Sequence, residues 1–220
     1  MLQGMASQPA VATSSCPLVT LDEIVDDLEN GWSPKCLDRP AKGEEWGVLK
    51  VGAVSFGIFD VNQNKALPSH LKPRPSLEVK AGEVLISRAN VTRYVGACAY
   101  VHEIPPQLML CDKIFRVKFA KNSKIKPRFL AEVMWLPFLR AQIETRITGT
   151  SPTMKNISKP ALLKLRLPLP SLEQQELLVM ALEEAKNYSA RLRKDATDKR
   201  QSAWAAFESA LFESGYKAAA

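Results

Sequence analysis

The chain has 220 residues, 46% of them hydrophobic, which suits one domain with a real core plus an appendage. No run of 18 or more apolar residues exists, so no membrane span is expected. The formal net charge of +7 is unevenly placed: residues 1–45 hold 3 basic and 8 acidic side chains, residues 171–220 hold 7 and 8, and residues 46–170 hold 20 and 7. An excess of +13 on one segment favours a polyanionic partner, nucleic acid first, although solubility charge is the plainer reading.

Residues 1–16 read as a disordered leader. The first 15 are small and polar, without the charged and apolar regions of a secretory signal. Cys16, Cys36, Cys98 and Cys111 form no CxxC pair, which fits free thiols in a reducing cytoplasm better than disulfides or zinc. Residues 18–28 place apolar side chains at helical spacing. Thr20 is a candidate cap and acids sit in the first turn, so a helix is expected there.

From Trp46 the period shifts toward strands, with candidates at 46–51, 53–60, 83–88, 94–101 and 113–119. A Pro-rich, basic loop over 67–75 separates them. Pro73 and Pro75 stiffen it and hold Lys72 and Arg74 outward, either toward a polyanion or merely into solvent. Residues 127–147 read as helix, with Pro137 forcing a kink or a split into two.

Ser171 and Gln174 form a capping box that opens a last helix of about 42 residues, on the order of 60 Å long. Its stripe runs through Leu178, Leu182, Ala185, Ser189, Leu192, Ala196, Ala203 and Ala210. So thin a stripe on so long a helix needs a partner surface. A coiled-coil pairing is favoured over folding back on its own domain.

Residues that could do chemistry are sparse. The chain has no G-x-G cofactor loop and no P-loop lysine motif. Its one Pro-Pro pair, Pro105-Pro106, is flanked by Ile104 and Gln107 and lacks the amide and aromatic of a methyltransferase tetrapeptide. Asp60, Glu78 and Lys80 loosely match a Mg-dependent nuclease, but such spacing recurs by chance. His70 and His102 lie near no Cys pair. No catalytic residue, metal ligand or bound cofactor is assigned.

Two segments suit DNA better. Ser87, Arg88, Asn90 and Arg93 fall in one predicted loop after a strand. Arg can bridge guanine O6 and N7, Asn can bridge adenine N6 and N7, and the hydroxyls can hold phosphate. In the second segment Gly149 lets backbone amides approach an anion. Thr150, Ser151 and Thr153 add hydroxyls, and Lys155 and Lys159 add charge. Surface turns of chance polarity would look the same.

The order of these features resembles the specificity subunits of type I restriction-modification enzymes. The resemblance covers about residues 17–212 and is strongest over 82–90 (GEVLISRAN), 96–119 and 149–175. It implies an α+β chain: a mixed α/β target-recognition globule over 17–170, one long coiled-coil spacer helix over 171–214, and a tail over 215–220. It implies a sequence-specific reader of double-stranded DNA that directs a partner adenine methyltransferase subunit, with or without a restriction subunit. S-adenosylmethionine then belongs to the partner. The family carries two recognition domains and two spacer helices, where this sequence shows one of each. Two copies pairing through the last helix as a homodimer, reading a bipartite site, would restore the pattern, as would pairing with a different half. The rivals left open are a small nuclease and a nucleic-acid-binding adaptor.

Overall fold

The computed structural model describes residues 16–151 and 154–215, with side chains to residue 212. The expected leader therefore lies outside the described residues apart from Cys16, as do Thr153 and the tail beyond Gly215. The elements in chain order are β1 (Leu18–Thr20), β2 (Asp27–Asn30), β3 (Gly47–Leu49), β4 (Asn64–Ala66), β5 (Val84–Ser87), β6 (Ala89–Asn90), β7 (Cys98–Tyr100), β8 (Leu108–Met109) and β9 (Ile114–Lys118). They continue as α1 (Pro127–Val133), α2 (Pro137–Glu144), β10 (Lys155–Asn156), α3 (Lys159–Leu163), β11 (Arg166–Pro168) and α4 (Leu172–Gly215). The chain separates into two compact units, residues 1–175 and 176–220.

Among the described residues, four small sheets build the first unit. A four-stranded antiparallel sheet runs β2-β9-β5-β7, and a three-stranded sheet runs β4-β3-β8 with β3 and β8 parallel. Two ribbons, β1-β11 and β6-β10, join segments far apart in sequence. Leu85, Ile86, Ile114 and Phe115 are buried on the central strands, and Val48, Leu49, Met109 and Leu110 fill the space beside the second sheet. This is the α+β globule and long helix expected.

The helix expected over residues 18–28 is not formed. Leu18–Thr20 pairs with β11, and Asp27–Asn30 pairs with β9. The apolar residues Leu21, Ile24, Val25 and Leu28 are still buried, so helical spacing here reports burial and not helix. Thr20 caps nothing through its side chain; its hydroxyl donates to the carboxylates of Asp22 and Glu23. The strand expected over 53–60 is also absent. A single 3₁₀ turn spans Val51–Val54, and a tight tip follows.

The helical stretch from Pro127 divides into α1 and α2, each with Pro in its first turn, where a missing N–H costs nothing. At α4 the capping box forms in both directions: Gln174 N donates to Ser171 Oγ and Ser171 N to Gln174 Oε1, each at 3.2 Å. Gln175, fully buried, ties this start to the globule. Its amide donates to the Lys124 and Pro170 carbonyls, and its Oε1 accepts from Lys126 N at 2.7 Å.

The four-stranded sheet carries a buried cation. Arg116, on β9, donates to Glu29 on β2 at 2.7 and 2.8 Å, to Glu83 at 3.1 Å, and to the Ser76 and Glu78 carbonyls. Burial alone would raise the Glu29 carboxyl, yet hydrogen bonds from Lys118 and Arg116 hold it below its ordinary value.

Candidate nucleic-acid interface

The two polar segments singled out in the sequence meet in space. β6 pairs with β10, setting Lys155 opposite Asn90 and Asn156 opposite Ala89. Ile157 N then donates to Arg88 O at 3.0 Å, extending the join by one residue. Just before β10, Thr148 and Asn156 exchange backbone bonds at 2.8 and 2.9 Å, closing the loop that holds Gly149, Thr150 and Ser151. Gly149 has φ +111°, and a Cβ there would lie 3.1 Å from Met154 O, so glycine is required at this corner. Lys155 Nζ donates to Gly149 O at 2.7 Å, which fixes the ammonium over the loop. Thr150 and Ser151 are exposed.

Residues 87–93 are not the single loop expected. Ser87 ends β5, is fully buried, and its hydroxyl finds no hydrogen-bond partner. A side chain so enclosed cannot hold a phosphate, so Ser87 leaves the candidate set. Arg88 is half-buried; its guanidinium donates to Asp112 O at 3.3 Å and lies 5.9 Å from the Phe115 ring. Asn90 is committed to its own fold: Nδ2 donates to Ser55 Oγ at 2.9 Å, and Oδ1 accepts from Val91 N at 2.8 Å. A bidentate grip on adenine would need both groups released. Arg93 is exposed, its guanidinium 5.7 Å from the Tyr94 ring.

Lys72 and Arg74 lie exposed on the Pro-rich loop. The Arg74 guanidinium stacks 4.1 Å over Trp32. Contacts lead from there toward Arg88: the neighbouring Ser33 hydroxyl bonds the Asp112 carboxylate, and Asp112 O accepts from Arg88. Lys159 is instead paired with Asp27, and Ser158 caps α3 through Ala161 N.

A neighbouring feature had no sequence signal. Phe56 and Ile58 stand at the tip after the 3₁₀ turn, 68% and 78% exposed. The Phe56 ring meets Tyr94 edge-on at 5.1 Å, and Gly57 lies with φ +76° against the Trp135 ring. Arg140 donates to Arg93 O at 3.0 Å and covers Trp135 at 5.9 Å.

The carboxylates of the nuclease reading are spent locally. Asp60 accepts from Asn62 N at 3.0 Å. Glu78 accepts from Gln107 N at 2.7 Å and pairs with Lys80, and its carboxyl is held low by those bonds. Among the described residues no three His, Cys, Asp or Glu side chains converge to hold a metal.

On α4, Leu178, Leu182 and Leu192 are 46%, 40% and 51% exposed, and Ala185, Ala196 and Ala203 are exposed with them. The stripe extends further than the alanines suggested. Trp204, Phe207 and Leu211 are exposed at helical spacing, and Trp204 and Phe207 meet edge-on at 5.7 Å. Two of the three fall one position after Ala203 and Ala210 of the expected stripe. No helix among the described residues is long and apolar enough to cross a membrane.

Two curated proteins match this arrangement in sequence. The specificity subunit of the type I restriction enzyme EcoEI from Escherichia coli is 30% identical over 165 residues, covering 74% of this chain and 28% of that protein. The MjaVIII specificity subunit from Methanocaldococcus jannaschii is 25% identical over 174 residues, covering 77% of this chain and 39% of that one.

The chain is similar in sequence to type I specificity subunits over about three quarters of its length.

Solved structures agree on the fold. A chain from a study of assembly and conformational transition in a type I R-M system superposes with a TM-score of 0.60 at 19% identity, over 94% of this chain and 47% of that one. The S subunit from M. genitalium gives 0.53 at 14% identity, covering 82% and 41% of the two chains. HsdS from Thermoanaerobacter tengcongensis gives 0.51 at 18%, covering 86% and 42%. No family model matches. The chain thus spans between about a quarter and two fifths of the curated specificity subunits it resembles.

Proposed function

We propose that this chain is a non-catalytic DNA reader: it recognises double-stranded DNA and directs a partner adenine methyltransferase subunit to the site. The observation that carries this reading is the β6-β10 ribbon. It joins the segments of Arg88 and Lys155 beside the Gly149 loop, with exposed Arg93 three residues after β6, within the +13 segment of a specificity-subunit fold. Lys155 and the loop hydroxyls suit phosphate positioning, and the arginines suit base edges. The methyl donor is then the partner's, a restriction subunit can join the same assembly, and the setting is the cytoplasm, where chromosome and methyltransferase meet.

The exposed stripe of α4 is a pairing surface for a second spacer helix. A second copy of the chain supplies it, which makes a two-fold reader of a bipartite site. The paired helices also form the platform for the methyltransferase.

Methylome sequencing of the source cell with and without the gene tests the function. Loss of one bipartite adenine-methylation motif is expected; an unchanged methylome in a cell that methylates adenine rejects it. In vitro, Lys155→Ala should weaken binding to all duplexes and lower the salt slope by about 1, whereas Arg88→Ala should relax sequence preference by about 1–3 kcal/mol at one position. Equal motif and affinity for Arg88→Ala would remove Arg88 from the readers.

A further inference from the structure

The tip at residues 55–58 presents two large apolar side chains to solvent, and it is not a loose loop. Asp60 N donates to Ala53 O at 2.9 Å and closes its base. Ser55 Oγ donates to Val51 O and accepts from Asn90 Nδ2, both at 2.9 Å, which ties the tip to β6. Gly57 sits so close to Trp135 that a Cβ would lie 3.1 Å from the indole, and its φ of +76° suits glycine. Phe56 leans on Tyr94, the neighbour of exposed Arg93. A closed and braced turn therefore holds Phe56 and Ile58 outward in a fixed direction, next to the cations of the β6-β10 ribbon.

Apolar side chains fixed beside cations match what duplex DNA offers in a groove: phosphates at the rim, and base edges and thymine methyls at the floor. Proteins place Phe, Ile and Leu there, either against a thymine methyl or as a wedge between base steps. A bare protein interface would not need the surrounding positive charge. We infer that Phe56 and Ile58 are specificity-determining residues, the apolar contact of the reading surface with DNA bases. This rests on the DNA-reading function proposed above and adds to it the residues that read without hydrogen bonds.

The test uses the full chain and a duplex enriched by it from a random pool, beside an unrelated duplex of equal length. Ile58→Ser and Phe56→Ala are compared with the parent at matched salt. Ile58 is 78% exposed, so its variant should keep the fold, which guards against a Phe56 variant that loosens the tip. Each variant is expected to lose about tenfold or more in affinity for the enriched duplex, to keep its affinity for the unrelated one, and to keep the salt slope. Uracil in place of thymine should reproduce the loss if a methyl is touched. A fluorescence rise from 2-aminopurine in the enriched duplex, absent with the variants, would mark a wedge. Parent-like discrimination by both variants overturns the inference and leaves the DNA-reading function standing. A change of the parent's mass in solution, with DNA discrimination intact, also overturns it and assigns the tip to a protein interface. A parent that enriches no duplex overturns both.

Discussion

The four-stranded sheet and the long helix solve the problem of stability in opposite ways. The sheet is satisfied within its own unit: its central strands bury Leu85, Ile86, Ile114 and Phe115, and its buried cation, Arg116, finds its partners there too. Among the described side chains of α4, only Gln175 and Val179 are buried, and every large apolar one beyond them stands exposed. A helix gains little from propensity alone and depends on packing an apolar face. The first region carries its own reasons to fold, and the second awaits another surface.

The sharpest way to break this contrast is at Arg116. Replacing it with Met strips Glu83 and the Ser76 and Glu78 carbonyls of this donor and leaves Glu29 with Lys118 alone. Glu29 and Glu83 keep 29% and 21% of their side-chain exposure, so we expect a loss near the lower end of the buried-pair range, about 3 kcal/mol. Urea unfolding of the globule reads this directly, and a change below about 1 kcal/mol would show that water takes over the arginine's role. Methionine fills most of the arginine's volume, whereas alanine would add a cavity to the electrostatic loss.

The converse variant is Leu182→Asp with Leu192→Asp. Both sites are exposed in the single chain, so the globule's unfolding midpoint should stay in place. The mass in solution at micromolar concentration should fall from two copies to one, as light scattering would report. A parent chain that is already monomeric in low and high salt would remove the helix pairing itself.

The smallest effect is expected at the surface. Arg39 holds the Glu45 carboxyl down from its ordinary 4.5 to about 2 through paired bonds at 2.6 and 2.7 Å. A depressed carboxylate contributes stability above its unfolded value and loses it as pH falls through the folded one. Backbone protection near Lys42, whose N–H also bonds Glu45, should therefore persist at pH 4.5 and fade toward pH 2 in hydrogen-exchange measurements. The exposed pair should fade earlier in high salt.

What could be read from sequence was local. Pro137 announces the break between α1 and α2, and Ser171 with Gln174 announces α4, because each acts within one turn. What could not be read depends on distant partners. Residues 18–28 have the periodicity of a helix, but β11 and β9 offer their backbones across more than 80 residues of chain, and pairing wins. The same holds at the interface. The candidates at 87–93 and 148–159 were visible as polar segments; that β6 and β10 would join them was not. Ser87 was misjudged because the end of β5 runs one residue further into the core than the hydroxyl suggested. Phe56 and Ile58 were absorbed into an imagined strand, where alternate apolar residues signify a buried face. The positive φ of Gly57 turns them out instead.

The β6-β10 ribbon is only two residue pairs long, and its register rests on main-chain groups. Its exposed neighbours, Arg93, Thr150 and Ser151, can change without disturbing the buried sheet, whereas Ala89, Asn90 and Gly149 are held by the fold. Such a surface behaves like movable type set in a fixed frame. On the DNA-reading function proposed above, new target words would arise by exchange of a few residues along its edge, while the buried sheet that holds the frame remains the same.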